Sequence, residues 1–408
     1  MSSYRLHFSR LRAAAFPAIA AVTLSAAAAV ATPVSSDPLP SQRTGTGFLK
    51  LWTAEWMAKH GTYTQDQAVA LAQRVDYIAT MKGKFSGTTL AAMRAANPDL
   101  RLGVYRNATF GNAGLDESLY ARNASGAKIY ALGWPSTYLM QVDSAGWTAA
   151  VGASCRDLIA RSGYDDCYLD VLGSGPLTSV YLSSKPVNPD GSLWTPTQWI
   201  TATSKLASTI RPTLGTGDVT GNGIGHGGRY FSTTATSAPL VAATDQIAAE
   251  GFVRDAKASI TAYRKEADWK KDVDMLVDAE AQGKGMLTIT KLWTSATAAQ
   301  QDSWHEYTLS TFLLGSNGLS RFFFLRDRTA DASQMNHPFN LIDPGTPLGA
   351  YRLEGGVYKR DFTQALVLVN PTKVAATVPL SRAHVGLRGE SVTGSVTLAP
   401  NTAKILRF

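Results

Sequence analysis

The sequence is poor in histidine, and its six histidines form no H-E-x-x-H motif of the kind that binds zinc in peptidases. It also lacks the G-x-S-x-G motif that carries the nucleophile of α/β-hydrolases. These absences disfavour zinc-peptidase and α/β-hydrolase chemistry. No convincing set of metal ligands or cofactor-binding residues stands in their place, so we expect the protein to use neither a metal nor a cofactor.

Beyond the N-terminus, the sequence lacks clustered basic residues and long apolar runs. Lys and Arg outnumber Asp and Glu by 39 to 31, but they are scattered and form no basic run with interleaved aromatics. This pattern disfavours nucleic-acid binding. The absence of a later apolar segment long enough to cross a bilayer disfavours stable membrane insertion.

Residues 1–31 have the pattern of a secretory signal peptide. Three arginines precede an alanine-rich apolar stretch, and a small-x-small cleavage site ends at Ala31. Cleavage there removes three positive charges and no acid, which lowers the formal net charge from +8 to +5. We therefore predict a secreted protein, extracellular or periplasmic, in which residues 32–46 form a flexible linker rich in Ser, Pro and Thr. An uncleaved membrane anchor is the alternative, and Pro17 argues against it.

Cys155 and Cys167 are the only two cysteines. The first is expected near the end of a helix and the second in the strand that follows. An oxidising compartment and an even count favour a disulfide between them, and two free buried thiols are the alternative.

Residues 47–338 alternate between short apolar runs and helical stretches, which is typical of a (β/α)8 TIM barrel. The predicted strands are residues 48–52, 77–80, 102–105, 167–170, 214–216, 246–249, 286–289 and 321–325. A capping box over residues 64–67 begins the first helix, and the later predicted helices include residues 144–162, 196–210, 255–263, 269–282 and 298–314. Residues 339–408 alternate without any helical pattern and predict a small C-terminal antiparallel β-domain, similar to a β-sandwich.

Two predicted strands end in a carboxylate. Asp170 ends the fourth strand just before Gly173, and Glu250 follows the sixth strand just before Gly251. Because the strand ends of a parallel barrel open onto one face, the two carboxylates are expected to face each other across its mouth. Two facing carboxylates are what glycosidic bond hydrolysis requires. The alternative is structural: a helix cap or rim ion pair at Asp170, and neutralisation of Glu250 by Arg254.

Other residues near predicted strand ends could bind a sugar. Aromatic faces stack on sugar rings, while Lys, Arg and Asn bind hydroxyl groups. His226 lies in a glycine-rich loop after the fifth strand, where Gly223-Ile-Gly225-His-Gly227-Gly228 fits a dinucleotide motif only formally, without the required strand and helix. For each tryptophan the alternative is packing in the core. The candidate substrate-binding residues are Lys50, Trp52, Tyr105, Arg106, His226, Arg254, Lys291 and Trp293.

Four acidic residues occur close together in the predicted helix 269–282. The apolar residues of that helix form a separate stripe, so the acids are interpreted as a solvated face and not as a metal site. They are Asp272, Asp274, Asp278 and Glu280.

Several motifs resemble those of one known family, over about residues 47–370. They are Asn97-Pro-Asp-Leu-Arg-Leu-Gly-Val-Tyr105, Cys167-Tyr-Leu-Asp170-Val-Leu-Gly173, Glu250-Gly-Phe-Val-Arg254, Trp269 with Asp274-Met-Leu-Val-Asp278, Phe312-Leu-Leu-Gly315, and Arg360-Asp-Phe with Val367-Leu-Val-Asn370-Pro371. The chain resembles the glycosyl hydrolase-like barrel proteins of family fifteen, which are similar to endo-α-1,4-polygalactosaminidases. The resemblance implies that Asp170 is the nucleophile and Glu250 the acid/base. The sequence departs from the family pattern at Asp166, where the family usually has glycine.

These patterns together predict a glycosidase that cleaves a poly- or oligosaccharide with two carboxylates, most simply with retention. A non-catalytic carbohydrate-binding barrel is one alternative, and a hydrolase of another ester or amide is a second. The sugar, the linkage and the oligomeric state stay open at this point.

Overall fold

The computed structural model describes residues 47–54, 63–177, 181–328 and 332–408. The predicted signal peptide and linker lie outside these residues. Eight parallel strands form one sheet in chain order. Their bounds are β1 Trp52–Ala54, β2 Tyr77–Thr80, β3 Arg101–Asn107, β4 Asp166–Asp170, β5 Asp218–Asn222, β6 Gln246–Ala249, β7 Gly285–Lys291 and β8 Arg321–Leu325.

The first and last strands meet, so the sheet is a nearly closed barrel. Leu51 forms a parallel bridge with Phe322, and the Phe322 amide donates to the Lys50 carbonyl at 2.9 Å. Helices separate consecutive strands. Their bounds are α1 Gln65–Ala72, α2 Gly87–Ala96, α3 Ala145–Ser162, α4 Pro196–Ile210, α5 Gly227–Tyr230, α6 Ala238–Ala243, α7 Glu266–Ala281 and α8 Ala298–Gly315. The predicted barrel is confirmed.

Local sequence signals begin and end several of these helices. Capping boxes, in which a threonine hydroxyl and a glutamine side chain bond each other's backbone N–H, begin α1, α4 and α8. The box over residues 64–67 was expected from the sequence. Gly163 ends α3 in the left-handed conformation, with φ of 70°, which glycine adopts without steric cost.

The structure corrects three predicted elements. The fifth strand is β5 and not residues 214–216, because Leu214 ends a 3-10 turn and Gly215 has a φ of 67° that belongs to a turn. The first strand begins at Trp52, so Lys50 precedes it. Residues 255–263 form turns and no helix. Their backbone is instead tied to neighbouring segments, as when Ala256 accepts a hydrogen bond from the Trp293 amide at 2.9 Å.

The connection between β3 and α3 carries a small sheet of its own. Three antiparallel strands form it, Phe110–Asn112, Tyr130–Ala131 and Trp134–Leu139. The sheet lies next to the carboxyl end of the barrel, because the Thr109 carbonyl accepts from Met140 while the Ala108 amide donates to the Asp170 carbonyl. We call it the insertion sheet.

Polar side chains occupy part of the barrel interior. In a strand, alternate residues face opposite sides, so the set containing Asp166 and Asp170 points inward while Cys167 faces the helices. Both oxygens of Asp166 accept hydrogen bonds, from the Tyr77 hydroxyl at 2.9 and 3.1 Å and from the Thr220 hydroxyl at 2.6 Å. Burial raises the pKa of this carboxyl to about 7, although both hydrogen bonds oppose the rise.

The predicted disulfide is present. Cys155 of α3 and Cys167 of β4 are bonded, with 5.6 Å between their Cα atoms. The bond joins a helix to the strand that ends at Asp170, and both sulfurs lie in the core between the barrel and its helices.

The C-terminal residues form the predicted antiparallel β-domain. One sheet has six strands and the other two, and an apolar cluster that includes Leu366, Leu368 and Leu398 contains residues of both. Val367 and Val369 alternate with those leucines and join the core of the barrel instead. The strands are β9 Arg352–Glu354, β10 Val357–Asp361, β11 Ala365–Asn370, β12 Ala376–Pro379, β13 His384–Val385, β14 Ser391–Val392, β15 Ser395–Leu398 and β16 Thr402–Arg407.

The end of α8 is capped from the C-terminal domain. The buried guanidinium of Arg360, on β10, donates to the carbonyls of Leu313 and Leu314 at 3.0 Å. Helix carbonyls at a C-terminus have no partner within the helix, so this contact satisfies them. No helix among the described residues is both long and apolar enough to cross a membrane.

Candidate active site

A single asparagine connects the two strand-end carboxylates. Nδ2 of Asn222, the last residue of β5, donates to Oδ1 of Asp170 at 2.7 Å and to Oε1 of Glu250 at 2.6 Å. An amide group has two N–H donors, so each carboxylate receives one. The two bonds limit the separation of these carboxylate oxygens to at most about 5.3 Å. Asp170 and Glu250 therefore face one another at the barrel mouth.

Asp170 is held in one orientation by three donors. Besides Asn222, the Tyr105 hydroxyl donates to Oδ2 at 2.8 Å, and the Val171 amide donates to Oδ1 at 2.8 Å. Tyr105 in turn accepts a hydrogen bond of 3.2 Å from the Asn107 amide group. Val171 has a φ of 65°, a conformation that a β-branched residue rarely adopts. Backbone strain at this position accompanies the placement of the carboxylate.

Burial and the negative charge of Glu250 raise the pKa of Asp170 to about 6, against the opposing effect of its three hydrogen bonds. Burial, followed by the charge of Asp170, also raises the pKa of Tyr105. The phenol therefore keeps its proton and remains a donor to Asp170.

Glu250 has its own cationic partner. Nζ of Lys291, at the end of β7, donates to Oε2 of Glu250 at 2.7 Å. Lys291 is almost fully buried, whereas the Glu250 side chain is 30% exposed and so remains accessible from the cleft. The Lys291 ammonium also lies 4.8 Å from the centre of the Trp293 ring, within range of a cation–π interaction.

Two glycines allow the backbones after β4 and β5 to touch. A Cβ at Gly173 would lie 1.9 Å from the Gly223 carbonyl oxygen, and one at Gly223 would lie 2.1 Å from the Gly173 nitrogen. The Leu172 amide donates to the Asn222 carbonyl at 2.7 Å in the same place. This close approach keeps Asp170 and Asn222 within hydrogen-bonding distance, and no residue larger than glycine fits it.

Three solved structures are similar to this chain at low sequence identity. An alpha-amylase from Malbranchea cinnamomea is 9% identical, with a TM-score of 0.52 over 88% of this chain and 96% of that one. A maltogenic alpha-amylase from Thermotoga neapolitana is 10% identical, with a TM-score of 0.50 over 88% and 98%. The glycoside hydrolase domain of PelA from Pseudomonas aeruginosa is 14% identical, with a TM-score of 0.43 over 68% and 98%. No curated protein matches the sequence.

A family model gives the assignment. The model of hypothetical glycosyl hydrolase family 15 matches residues 101–366, more than half of the chain. The chain belongs to hypothetical glycosyl hydrolase family 15. Its membership and its fold support a glycosidase-type function.

The matched residues of this family 15 protein include all five side chains of the cluster around the two carboxylates. We call this cluster the carboxylate site. It consists of Tyr105, Asp170, Asn222, Glu250 and Lys291. Among the described residues, no group of three or more His, Cys, Asp or Glu side chains could hold a metal ion.

Trp293 is the one further predicted residue with a described contact to this site, through Lys291. His226 and Arg254 lie in the loops after β5 and β6 without a described contact to either carboxylate. Nδ1 of His226 accepts from the Gly228 amide at 3.1 Å, and burial lowers the pKa of the ring to about 4. Arg254 is buried, donates to the Ala258 carbonyl at 2.6 Å and stacks over Trp304.

Three predicted residues lie elsewhere in the family 15 barrel. Lys50 precedes β1 and pairs with the start of β8, at the end of the barrel opposite the carboxylates. Trp52 is fully buried in the barrel, and its Nε1 donates to the Thr288 carbonyl at 2.8 Å. Arg106 alternates with Tyr105 along β3 and so faces the helix layer. The predicted strand, residues 48–52, lies mostly before the true strand, Trp52–Ala54, so Lys50 and Trp52 are not at its carboxyl end.

The interpretation of the acidic residues on α7 as a solvated face is wrong for two of them. Asp272 is fully buried and accepts from the amides of Gly227 at 2.7 Å and Val253 at 3.2 Å, and from the Arg264 guanidinium. It thereby joins the loops after β5 and β6. The other is Glu280, which is also buried and accepts from Ser316, Asn317 and Ser320 in the loop before β8.

Asn222 was missed from the sequence. Its strand contains Val219, Thr220 and Gly221, which carry too little apolar bulk to reveal the strand. Had β5 been placed correctly, the strict alternation of strand residues would have put Asn222 on the inner face, next to Asp170.

Proposed function

We propose that the protein is a glycosidase that hydrolyses glycosidic bonds of a poly- or oligosaccharide through Asp170 and Glu250, with retention of configuration. The observation that carries this proposal is the shared hydrogen-bond donor Asn222. Retaining glycosidases hold their two carboxyl groups about 5–5.5 Å apart, whereas inverting ones hold them about 6.5–9.5 Å apart. A nearest-oxygen separation of at most about 5.3 Å supports the shorter spacing.

Asp170 is suited to the role of nucleophile. Its three donors fix the carboxylate, and a pKa of about 6 leaves it ionised above that pH. In the first step a carboxylate oxygen of Asp170 bonds to the anomeric carbon. The bond from that carbon to the glycosidic oxygen breaks, and the departing oxygen takes a proton from Glu250.

Glu250 is suited to the role of acid/base. Its side chain is partly open to the cleft, so water can reach it in the second step. There Glu250 takes a proton from water, the resulting hydroxide oxygen bonds to the anomeric carbon, and the ester bond to Asp170 breaks. Oε2 accepts from Lys291 and Oε1 accepts from Asn222, so the first step requires that Glu250 carry its proton on one of these two oxygens in place of that contact.

The first experiment is a screen of the protein against soluble polysaccharides. The panel contains α-1,4-glucan, because two similar structures are alpha-amylases, and α-1,4-polygalactosamine, because the motifs resemble polygalactosaminidases. Galactomannan is a third, branched polymer. The anomeric form of the first product is read by NMR before mutarotation, and an inverted product would contradict the retaining mechanism.

Variants assign the roles. Asp170→Ala and Glu250→Ala are each expected to lower kcat by about 10²–10⁴-fold or more, whereas Asp274→Asn on the outside of α7 should leave it unchanged. Azide should rescue both variants, giving a glycosyl azide of inverted configuration with Asp170→Ala and of retained configuration with Glu250→Ala. The opposite pattern would exchange the two roles.

Binding of a glycan by wild-type protein without any turnover would instead support a carbohydrate-binding protein.

We also propose that the protein acts outside the cytoplasm. The Cys155–Cys167 disulfide supports this proposal, because such bonds persist in oxidising compartments. Expression of the full chain in a secretion-competent host tests this proposal. The intact mass of the exported protein should be that of a chain whose first residue is Thr32. Retention of the uncleaved chain in the cytoplasm would contradict the proposal.

A further inference from the structure

We infer that Trp134 and Tyr181 form a stacking platform for a pyranose ring of an extended glycan, beside the carboxylate site and leading away from it. This inference rests on the proposed glycosidase function and narrows its substrate to a chain of several sugars. We call the two side chains the aromatic platform.

The platform is an exposed pair of large aromatic rings. Trp134 is 60% exposed and Tyr181 is 38% exposed, although side chains of this size are usually well covered in a folded protein. Their ring centres are 6.5 Å apart and their planes differ by 33°, so the two faces form a slightly bent wall. Flat aromatic surfaces of this kind pack against the C–H faces of sugar rings, while the Tyr181 hydroxyl remains available to a polar group.

Two loops that are distant in sequence build this wall together. Tyr181 follows β4, whereas Trp134 belongs to the insertion sheet that follows β3. The segment beginning at Tyr181 pairs with the insertion sheet: the Leu132 amide donates to the Tyr181 carbonyl at 3.0 Å, and the Ser183 amide donates to the Tyr130 carbonyl at 3.0 Å. Because backbone hydrogen bonds hold both sides, the platform is formed before any ligand binds.

A continuous set of contacts connects the platform with Asp170. The ring of Tyr181 lies 6.2 Å from that of Phe110. The Phe110 amide donates to Oδ1 of Asn107 at 2.8 Å, and the Asn107 amide group donates to the hydroxyl of Tyr105, which bonds Asp170. The platform thus borders the side of the mouth on which Asp170 lies.

The electrostatics of Tyr181 agree with this position. Burial raises the pKa of the phenol first, and the negative charges of Asp170 and Glu250 raise it further. This direction agrees with the contacts that lead from the Tyr181 ring through Phe110, Asn107 and Tyr105 to Asp170. Tyr181 is therefore the near end of the platform, and Trp134 is the more exposed far end.

The other side of the mouth is constructed differently. Trp293 lies next to Lys291, and the guanidinium of Arg328 is 5.4 Å from the same ring. Two cations therefore already occupy positions over Trp293, whereas the faces of Trp134 and Tyr181 carry no described cation. A chain that reaches Trp134 must extend from the carboxylates past Tyr181, so the platform selects long substrates over single sugars.

The test compares Trp134→Ala and Tyr181→Ala with Phe408→Ala, a matched loss of an exposed aromatic in the C-terminal domain. Binding is measured by affinity electrophoresis in the Asp170→Asn background, with the polysaccharides of the panel as probes. Kinetics are measured in the otherwise wild-type protein on the cleaved polymer and on an aryl monoglycoside of the same sugar. Tyr181→Phe keeps the ring and serves as the conservative variant.

We expect each alanine variant to bind the polymer about tenfold more weakly and to raise KM by a similar factor. Trp134→Ala, at the far end of the platform, should leave kcat and monoglycoside hydrolysis unchanged. Tyr181→Phe should retain tight binding. If the parent cleaves a polymer but Trp134→Ala and Tyr181→Ala bind it as tightly as Phe408→Ala does, the platform is refuted and the glycosidase function stands. If the parent neither binds nor cleaves any polymer, the proposed function fails, and the platform fails with it.

Discussion

Replacement of Asn222 by alanine tests how the two carboxylates are kept together. The change removes a hydrogen bond to Asp170 and one to Glu250, both to groups that carry negative charge when ionised. A hydrogen bond to a charged group contributes about 1.5–3 kcal/mol. Since one pKa unit corresponds to about 1.36 kcal/mol, the loss should raise the pKa of Asp170 by about one to two units above its value in the wild-type protein.

Repulsion between the carboxylates adds to this effect. Two unit charges about 5 Å apart repel by about 3 kcal/mol at an effective dielectric constant of 20. In the wild-type protein the Asn222 amide dipole lies between the two carboxylates and weakens this repulsion. Without this dipole, the charge of Glu250 favours protonation of Asp170 further. Because this repulsion adds to the lost hydrogen bond, one to two units is the minimum increase that we expect in the pKa of Asp170.

The assay is the pH dependence of kcat/KM on the polymer identified in the screen. In the wild-type protein the rate should fall as the pH decreases through about 6, because Asp170 becomes protonated. In Asn222→Ala this acid limb should lie about one to two pH units higher, and the plateau should fall about tenfold or more. Asn340→Ala is the control, because it also removes a buried amide, one that bonds His305 at 3.0 Å and has no described contact to either carboxylate. An acid limb that stays at the wild-type pH in Asn222→Ala would refute the reasoning.

Three further predictions concern stability and geometry. Gly173→Ala should unfold at lower temperature and lose activity, because its Cβ would lie 1.9 Å from a backbone oxygen of the neighbouring loop; wild-type melting and turnover would contradict the close approach. The double variant Cys155→Ala/Cys167→Ala should lower the free energy of unfolding by about 2–3 kcal/mol in denaturant titrations, whereas an unchanged midpoint would show that the bond adds no stability. Asp166→Asn should remove a pH dependence of stability. The raised pKa of about 7 means that the folded protein binds the Asp166 proton more tightly than the unfolded chain does, so this group's contribution is present below about pH 4 and is lost as the pH rises through 7. Equal slopes of melting temperature against pH for the wild type and this variant would contradict that assignment.

The sequence alone determined the architecture and the two strand-end carboxylates. Alternating apolar runs and helical stretches are local properties, so seven of the eight barrel strands were located closely enough to count them. That count, with the rule that strand carboxyl ends share one face of a barrel, was enough to place Asp170 and Glu250 at the same mouth. The disulfide was also predictable, because a helix and the strand after it are adjacent in space whenever the connection between them is short.

Only the tertiary structure decided which other side chains join the carboxylates. Asn222 lies on a strand with too little apolar bulk to be recognised, and its role depends on facing two carboxylates from neighbouring strands. Whether Arg106 or Tyr105 points inward depends on which alternate residues of the strand face the barrel interior. A shift of one residue in the strand register exchanges the two faces. Lys50 and Trp52 were misplaced because an apolar run does not show at which residue its strand begins.

The same distinction applies to the loops. The burial of Asp272 follows from two loops that close over α7, a contact that no helical periodicity encodes. Trp134 and Tyr181 form one surface only because residues 130–132 and 181–183 pair across nearly fifty intervening residues. Local patterns in the chain specify strands, helices and charges at strand ends, whereas contacts between distant segments depend on packing in three dimensions.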